Sequence, residues 1–331
     1  MHVLLLAISF AVILAGALLF TNAVEWIGNR LSIGEGAVGS LLAAVGTAMP
    51  ETLIPIVAVI GGAEGSEDVA IGAIIGAPFL LATVAMALVG LAALGYKGRR
   101  DQGRELKAHK PTLERDLKFF LVFFACGLAL GWGAPAALRI PAAIGLVSAY
   151  GIYVWRTLAN QGAEQAESTI KGLTIAPIRI QDDPPPALIV IQLLVGLGAM
   201  VGGAHLFVEE LLSVAESLGV EAIVLSLVLA PLATELPEKA NSFFWVRDGK
   251  DALALGNITG AMAFQATLPI AFGLAFTTWE LDRFGVASVV LGLAGGGVAY
   301  WSLHLRGRFD AVSIIAWALL YGIFLGFVLA S

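Results

Sequence analysis

Four ionisable side chains sit where an aliphatic sequence has no need of them. Glu51, Glu235, Glu238 and Lys239 lie deep in apolar runs, and all four belong to two segments of one pattern. The first segment is Val45-Gly46-Thr47-Ala48-Met49-Pro50-Glu51, and the second is Leu232-Ala233-Thr234-Glu235-Leu236-Pro237-Glu238. Thr, Pro and Glu recur at the same spacing. A charge at the centre of a bilayer costs a few kcal/mol on insertion scales, so generic packing does not place it there. Proline has no N–H, and the carbonyl four residues earlier loses its helical partner. Pro50 frees the carbonyl of Gly46, and Pro237 frees that of Ala233. Thr47 and Glu51 are four apart and share a helix face, as do Thr234 and Glu238. Each segment therefore predicts a helix break that offers a carboxylate, a hydroxyl and loose carbonyls to one point. Two such points facing each other suit a metal cation. Calcium takes about six to eight oxygens in flexible geometry, some from bidentate carboxylates, and two ionised glutamates balance its double charge.

The elements that must position these residues are membrane helices. Hydrophobic residues make up 58% of the chain and charged residues 13%, where a soluble domain carries roughly a quarter charged. The apolar residues come in long blocks, as bilayer-spanning helices of about 20 residues require. The segments of about 10 alternating residues that mark a membrane barrel are missing. Ten spans are predicted, at roughly 3–21, 36–61, 68–95, 117–135, 138–158, 187–208, 219–245, 252–277, 284–304 and 309–330. The connection from Tyr96 to Lys118 is dense in both charges and reads as a solvated loop. The stretch 160–186, ending in Asp182-Asp183-Pro184-Pro185-Pro186, reads as a linker between two halves of five spans. Cys126, alone of its type, reads as a small core residue, and a lone cysteine forms no disulfide within the chain.

Orientation follows from the basic residues, which favour the cytoplasmic side. With the loop around Arg99 inside, Arg30, every Lys and Arg between Lys97 and Lys118, Arg156, Lys171, Arg179, Arg247, Lys250, Arg306 and Arg308 are also inside. Outside are Arg139 and Arg283, and Lys239 is left within a span. Both termini are then outside. The second half also repeats the first at a later point: Ile71-Gly72-Ala73-Ile74-Ile75-Gly76-Ala77 lies against Leu255-Gly256-Asn257-Ile258-Thr259-Gly260-Ala261. Five spans is an odd number, so the second copy sits upside down relative to the first. Inverted repeats of this kind are a common build for secondary transporters, with the site near the midplane where the repeats meet.

At these residues the sequence resembles the calcium/cation antiporter superfamily, whose best-known members are the sodium/calcium exchangers. The family pattern is a Gly-Thr-Ser-x-Pro-Glu helix break followed by a Gly-Asn-x-x-Gly-Ser-Asn segment, once in each inverted half. Gly46-Thr47-Ala48-Met49-Pro50-Glu51 and Ala233-Thr234-Glu235-Leu236-Pro237-Glu238 match the first part, and Gly256-Asn257-Ile258-Thr259-Gly260 matches the second. The resemblance implies that Glu51 and Glu238 hold the metal ion, aided by Thr47 and Thr234. It also makes Glu235, at a serine position, and Gln265, at the closing Asn or Asp position, members of the cation-binding set. The chain departs from the pattern at Ala48, Ala77, Leu81 and Ala261, where the exchangers carry residues that help to hold sodium. Proton coupling gains weight accordingly.

The expectation is an all-α integral membrane protein of about ten transmembrane helices in two inverted five-helix repeats, 1–159 and 187–331, joined by a cytoplasmic linker at 160–186. Its function is exchange of calcium or a similar cation for sodium or protons by alternating access, in the cell membrane. Its partners are small inorganic cations and the bilayer, with no nucleic acid and no resident cofactor. An antiporter of the same fold for another cation, or coupled to protons only, is the nearest alternative. A non-transporting membrane protein is another. No Ser/His/Asp set and no pair of histidines at helical spacing is legible, which speaks against an intramembrane enzyme. Glu235 precedes Lys239 by four residues, the favourable order for a helical ion pair, and Lys239 is a candidate modulator of the site's charge.

Overall fold

The computed structural model describes residues 1–30, 43–98, 100, 103, 105–106, 110–160, 172–176 and 183–330. Helix α1 spans His2–Arg30, α2 Ala43–Gly61 and α3 Ser66–Leu80. A π-helical turn, Leu81–Ala85, leads from α3 into α4, Met86–Gly95. Helix α5 spans Lys110–Gly131, α6 Arg139–Asn160, α7 Pro186–Leu218 and α8 Ala222–Arg247. Helix α9, Asp251–Gln265, is followed after a short interruption by α10, Leu268–Phe276. The last two helices are α11, Arg283–Trp301, and α12, Ala311–Leu329. Among the described residues there is no strand, and one isolated bridge pairs Leu106 with Phe309.

Seven helical tracts among the described residues are long and apolar enough to cross a membrane: His2–Gly28, Ser66–Gly95, Ala136–Thr157, Pro186–Leu218, Asp251–Phe276, Arg283–Arg306 and Ala311–Leu329. Among the described residues α2 and α8 contribute shorter apolar tracts, Pro50–Gly61 and Ala222–Leu232. Helix α5 opens with Lys110, Glu114, Arg115, Asp116 and Lys118 in its first turns. The expected loop to Lys118 is thus shorter than its charges suggest, because its last nine residues are helical. It is also less solvated: Arg100 and Leu106 are buried. Cys126 is exposed on α5, not packed in the core.

Helix ends follow ordinary capping chemistry. Helix α7 stops at Gly219, whose φ of 65° supplies the left-handed turn that other residues resist. Asp282 and Asp310 cap α11 and α12 by accepting from the backbone N–H groups of Gly285 and Ser313. Between helices, small residues allow close crossings, the usual device where lipid gives no hydrophobic drive to association. Helices α3 and α8 meet this way: a Cβ placed on Gly76 would lie 2.4 Å from the carbonyl oxygen of Leu227, and one on Gly72 would lie 2.7 Å from that of Ile223. The hydroxyl of Ser226 donates to the Val69 carbonyl at 2.6 Å in the same seam. Helices α1 and α7 cross at Gly16 and Gly196 with comparable closeness. Both crossings pair a helix from before the linker with one from after it.

Two polar seams tie the rest. Arg100, on the connection after α4, places Nη2 2.6 Å from both carboxylate oxygens of Asp251 in the first turn of α9. Both side chains are essentially out of contact with solvent, at 0% and 1% exposure. At the far end of α1, Gln192 of α7 donates to the Leu19 carbonyl and to Asn22, both at 2.9 Å. Residues 172–176 of the linker stretch dock on that pair, with Thr174 N–H donating to Asn22 and Ile175 N–H donating to Gln192. Leu173 is buried there against Ala23, Trp26 and Ile189.

Candidate cation site

The two Pro-Glu segments lie on α2 and α8, and these helices pack against each other and, respectively, against α3 and α9. The expected helix breaks at Pro50 and Pro237 are absent. Helix α2 runs unbroken from Ala43 to Gly61 through Pro50 and Pro55, and α8 runs unbroken from Ala222 to Arg247. A proline inside a helix removes one backbone hydrogen bond and strains the preceding turn. The helices continue through both prolines, and the interruption shrinks to a missing bond opposite Gly46 and Ala233. The chain interrupts its helices one hairpin later instead. Helix α3 passes through the π turn at Leu81–Ala85, and α9 ends at Gln265 before α10 begins at Leu268. The two interruptions correspond under the repeat that aligns Gly76 with Gly260. In each, a buried threonine hydroxyl turns back on its own helix: Thr83 donates to the Phe79 carbonyl at 2.7 Å, and Thr267 donates to the Ala263 carbonyl at 3.0 Å.

Glu51 is buried on α2, at 7% exposure. Thr234 is buried on α8 and donates to the Ala230 carbonyl at 3.1 Å, which leaves the lone pairs of its hydroxyl oxygen available to a cation. Gln265 is buried at the end of α9. Glu235 and Lys239 are buried together, with Nζ 2.7 Å from Oε2. That ion pair is the contact the structure fixes within the expected set. Of Gly46, Thr47, Ala233, Pro237 and Glu238 only the backbone is described, and it is helical. Among the described residues no three His, Cys, Asp or Glu side chains gather into a group able to hold a metal. The expected ligand set is of another kind, two carboxylates and several neutral oxygens. Beside it, Asn257 of the Gly256–Gly260 segment donates to Ser242 at 3.4 Å and so ties α9 to α8.

Sequence reasoning missed one buried polar cluster near this site. Asp116 of α5 accepts from the Tyr153 hydroxyl at 2.8 Å, from Arg115 at 2.9 Å and, through its second oxygen, from the Thr259 hydroxyl at 3.0 Å. It joins α5, α6 and α9, and Thr259 belongs to the motif segment that follows the second Pro-Glu pattern. Its sequence signal is a carboxylate at the edge of an apolar run, just outside the predicted span 117–135.

The sequence pattern of the sodium/calcium exchanger proteins matches residues 1–159 and 188–330 of this chain. The chain belongs to that family. This exchanger-family chain is similar to CaxA of Alkalimonas amylolytica, a candidate antiporter, with 23% identity over 318 residues that cover 93% of this chain and 91% of CaxA. Its fold is that of the H+/Ca2+ exchanger CAX, with a TM-score of 0.75, 21% identity and coverage of 98% of this chain and 81% of CAX. The sodium-calcium exchanger NCX_Mj shares the fold with a TM-score of 0.60, 20% identity and coverage of 98% and 99%. Family and apolar helices together make the exchanger-family chain an all-helical, multi-pass membrane protein.

Proposed function

We propose that this chain is a secondary active transporter that exchanges calcium, or a similar divalent cation, for a counter-ion across the cell membrane by alternating access. Glu51 and Glu238 hold the cation, with Thr47 and Thr234 as hydroxyl ligands and Gln265 as a neutral oxygen from α9. The observation that carries this reading is the packing of α2 against α8, each bearing the Thr-x-x-Pro-Glu pattern, with Glu51 buried on α2. The architecture is ten spanning helices in two inverted halves, 1–159 and 187–331, with 160–186 as linker. The match to the family in two blocks that spare 160–187 supports that division. A midplane site between inverted halves is the arrangement that rocking of one bundle against the other opens to each side in turn.

The fold neighbours include a proton exchanger and a sodium exchanger, so the fold leaves the counter-ion open, and the residues favour the proton. Ala48, Ala77, Leu81 and Ala261 carry no side-chain oxygen, and a sodium ion needs oxygens where a proton needs only a base. The counter-ion is therefore the proton. In proteoliposomes, radiolabelled calcium uptake should respond to an imposed proton gradient and little to a sodium gradient. Steep, cooperative sodium dependence would reject the proton assignment, and absence of calcium movement under either gradient would reject calcium exchange.

The orientation puts both termini and the Gly61–Asp68 turn outside and the loop around Arg99 in the cytoplasm, on the strength of the basic residues. Single cysteines introduced at these places into a Cys126→Ala background should divide accordingly when intact cells meet an impermeant maleimide. Strong labelling near Arg99 from outside would invert the topology.

A further inference from the structure

We infer that Lys239 is the resident counter-charge of the cation site, a specificity-determining residue that cancels Glu235 so that two carboxylates remain for the transported divalent ion. The inference deepens the proposed function and rests on it. Its observation is the Glu235–Lys239 pair: Nζ and Oε2 are 2.7 Å apart, at 5% and 2% side-chain exposure, in the middle of α8. Among the described residues neither group has a further hydrogen-bond partner. Among the described residues the pair is therefore not a node of a larger network, unlike Asp116 or Arg100.

A buried ion pair is a weak stabiliser, because removing two charges from water offsets most of their attraction. Its place in the chain explains it better than its stability does. The helical register puts positions 235, 238 and 239 on one face of α8, so the pair shares its face with the proposed ligand position 238. At the corresponding places of the first repeat stand Ala48 and Thr52, which carry no charge. Glu235 alone would make the site three carboxylates strong, too many for a divalent ion that must also leave. Lys239 alone would repel the ion. Together they add no net charge, and the ammonium, covalently tethered, cannot be transported. Glu235 is on this account the partner of Lys239 and not a cation ligand.

The test is calcium affinity by isothermal titration on monodisperse full-length protein in detergent, with calcium as the probe. Glu235→Gln leaves the ammonium uncancelled and should weaken binding about tenfold or more, the lower end of what a neighbouring unit charge does to an ionic equilibrium. Lys239→Met leaves a third carboxylate and should tighten binding by a similar factor, about tenfold, with slower release in radiolabelled calcium exchange. Adding Lys239→Met to Glu235→Gln should restore most of the lost affinity. Opposite signs in the two single variants cannot come from a structural role, which would leave the affinity of the folded fraction alone. They cannot come from a ligand role for Glu235 either, because the double variant would then stay weak. If Glu235→Gln misfolds, tighter binding by Lys239→Met decides on its own; if Lys239→Met misfolds, Glu235→Gln is read together with the double variant. Affinity moved by less than about twofold in a folded single variant, or no restoration in the double variant, overturns the inference alone. Failure of the parent protein to bind or exchange calcium overturns the proposed function, and this inference with it.

Discussion

Glu51→Gln and Glu238→Gln should each give a folded protein that no longer exchanges calcium. A carboxylate supplies a full charge and up to two oxygens to a divalent ion, and the amide supplies one neutral oxygen of similar shape. Calcium sites tune their affinity over several decades largely through the number of charged ligands, so loss of one of two should weaken binding by roughly a hundredfold or more. Folding should not suffer. Glu51 is buried within the apolar body of the protein, where a neutral amide is cheaper to keep than an ion. Circular dichroism and size exclusion should therefore match the parent, while calcium titration and radiolabelled exchange fall to background. Thr47→Val and Thr234→Val remove one neutral oxygen each and should weaken binding less. If both glutamine variants bind calcium as the parent does, the cation lies elsewhere and the Pro-Glu helices are structural.

The class of the protein and the address of its site were legible because both rest on local chemistry. Long apolar blocks can only be membrane helices, and a repeated Thr-x-x-Pro-Glu at depth needs no third dimension to stand out. What was not legible depends on long-range contact. Pro50 reads as a break because a lone helix would break there. In the folded chain α2 is continuous through it. The interruptions that do exist, at Leu81–Ala85 and after Gln265, carry no proline at their centre, and what marks them is Thr83 and Thr267 bonding back to their own helices. Asp116 and Thr259 are 143 residues apart in sequence, and nothing local to either announces the other. Arg100 was read as one more solvated topology-setting base, because charge density alone cannot tell a loop residue that faces water from one that has found a buried carboxylate.

That last residue should produce a large stability effect. Arg100 is bidentate through one nitrogen to Asp251, at 2.6 Å to each oxygen, and donates to the Glu105 carbonyl at 3.2 Å. It therefore fixes the connection after α4 to the first turn of α9. Asp251 gains a second time from its place at a helix N-terminus, where the backbone dipole favours a negative charge. Arg100→Met keeps much of the side-chain volume but removes the carboxylate's cation from a site with 1% exposure. Breaking a buried pair from one side typically costs about 3–5 kcal/mol, because the remaining charge has lost its ionic partner and has no water to replace it. Equilibrium unfolding in detergent should show a loss of that order. Replacing both members, as Arg100→Met with Asp251→Leu, removes the stranded charge and should recover most of it, since apolar packing is often as stable as a buried pair. The cation affinity of the folded protein should change little in either variant, because α9 meets the site at Gln265, the opposite end from Asp251. An Arg100→Met protein that unfolds at the parent's denaturant midpoint would mean that the carboxylate finds water or another donor, and that the pair closes the loop without holding it.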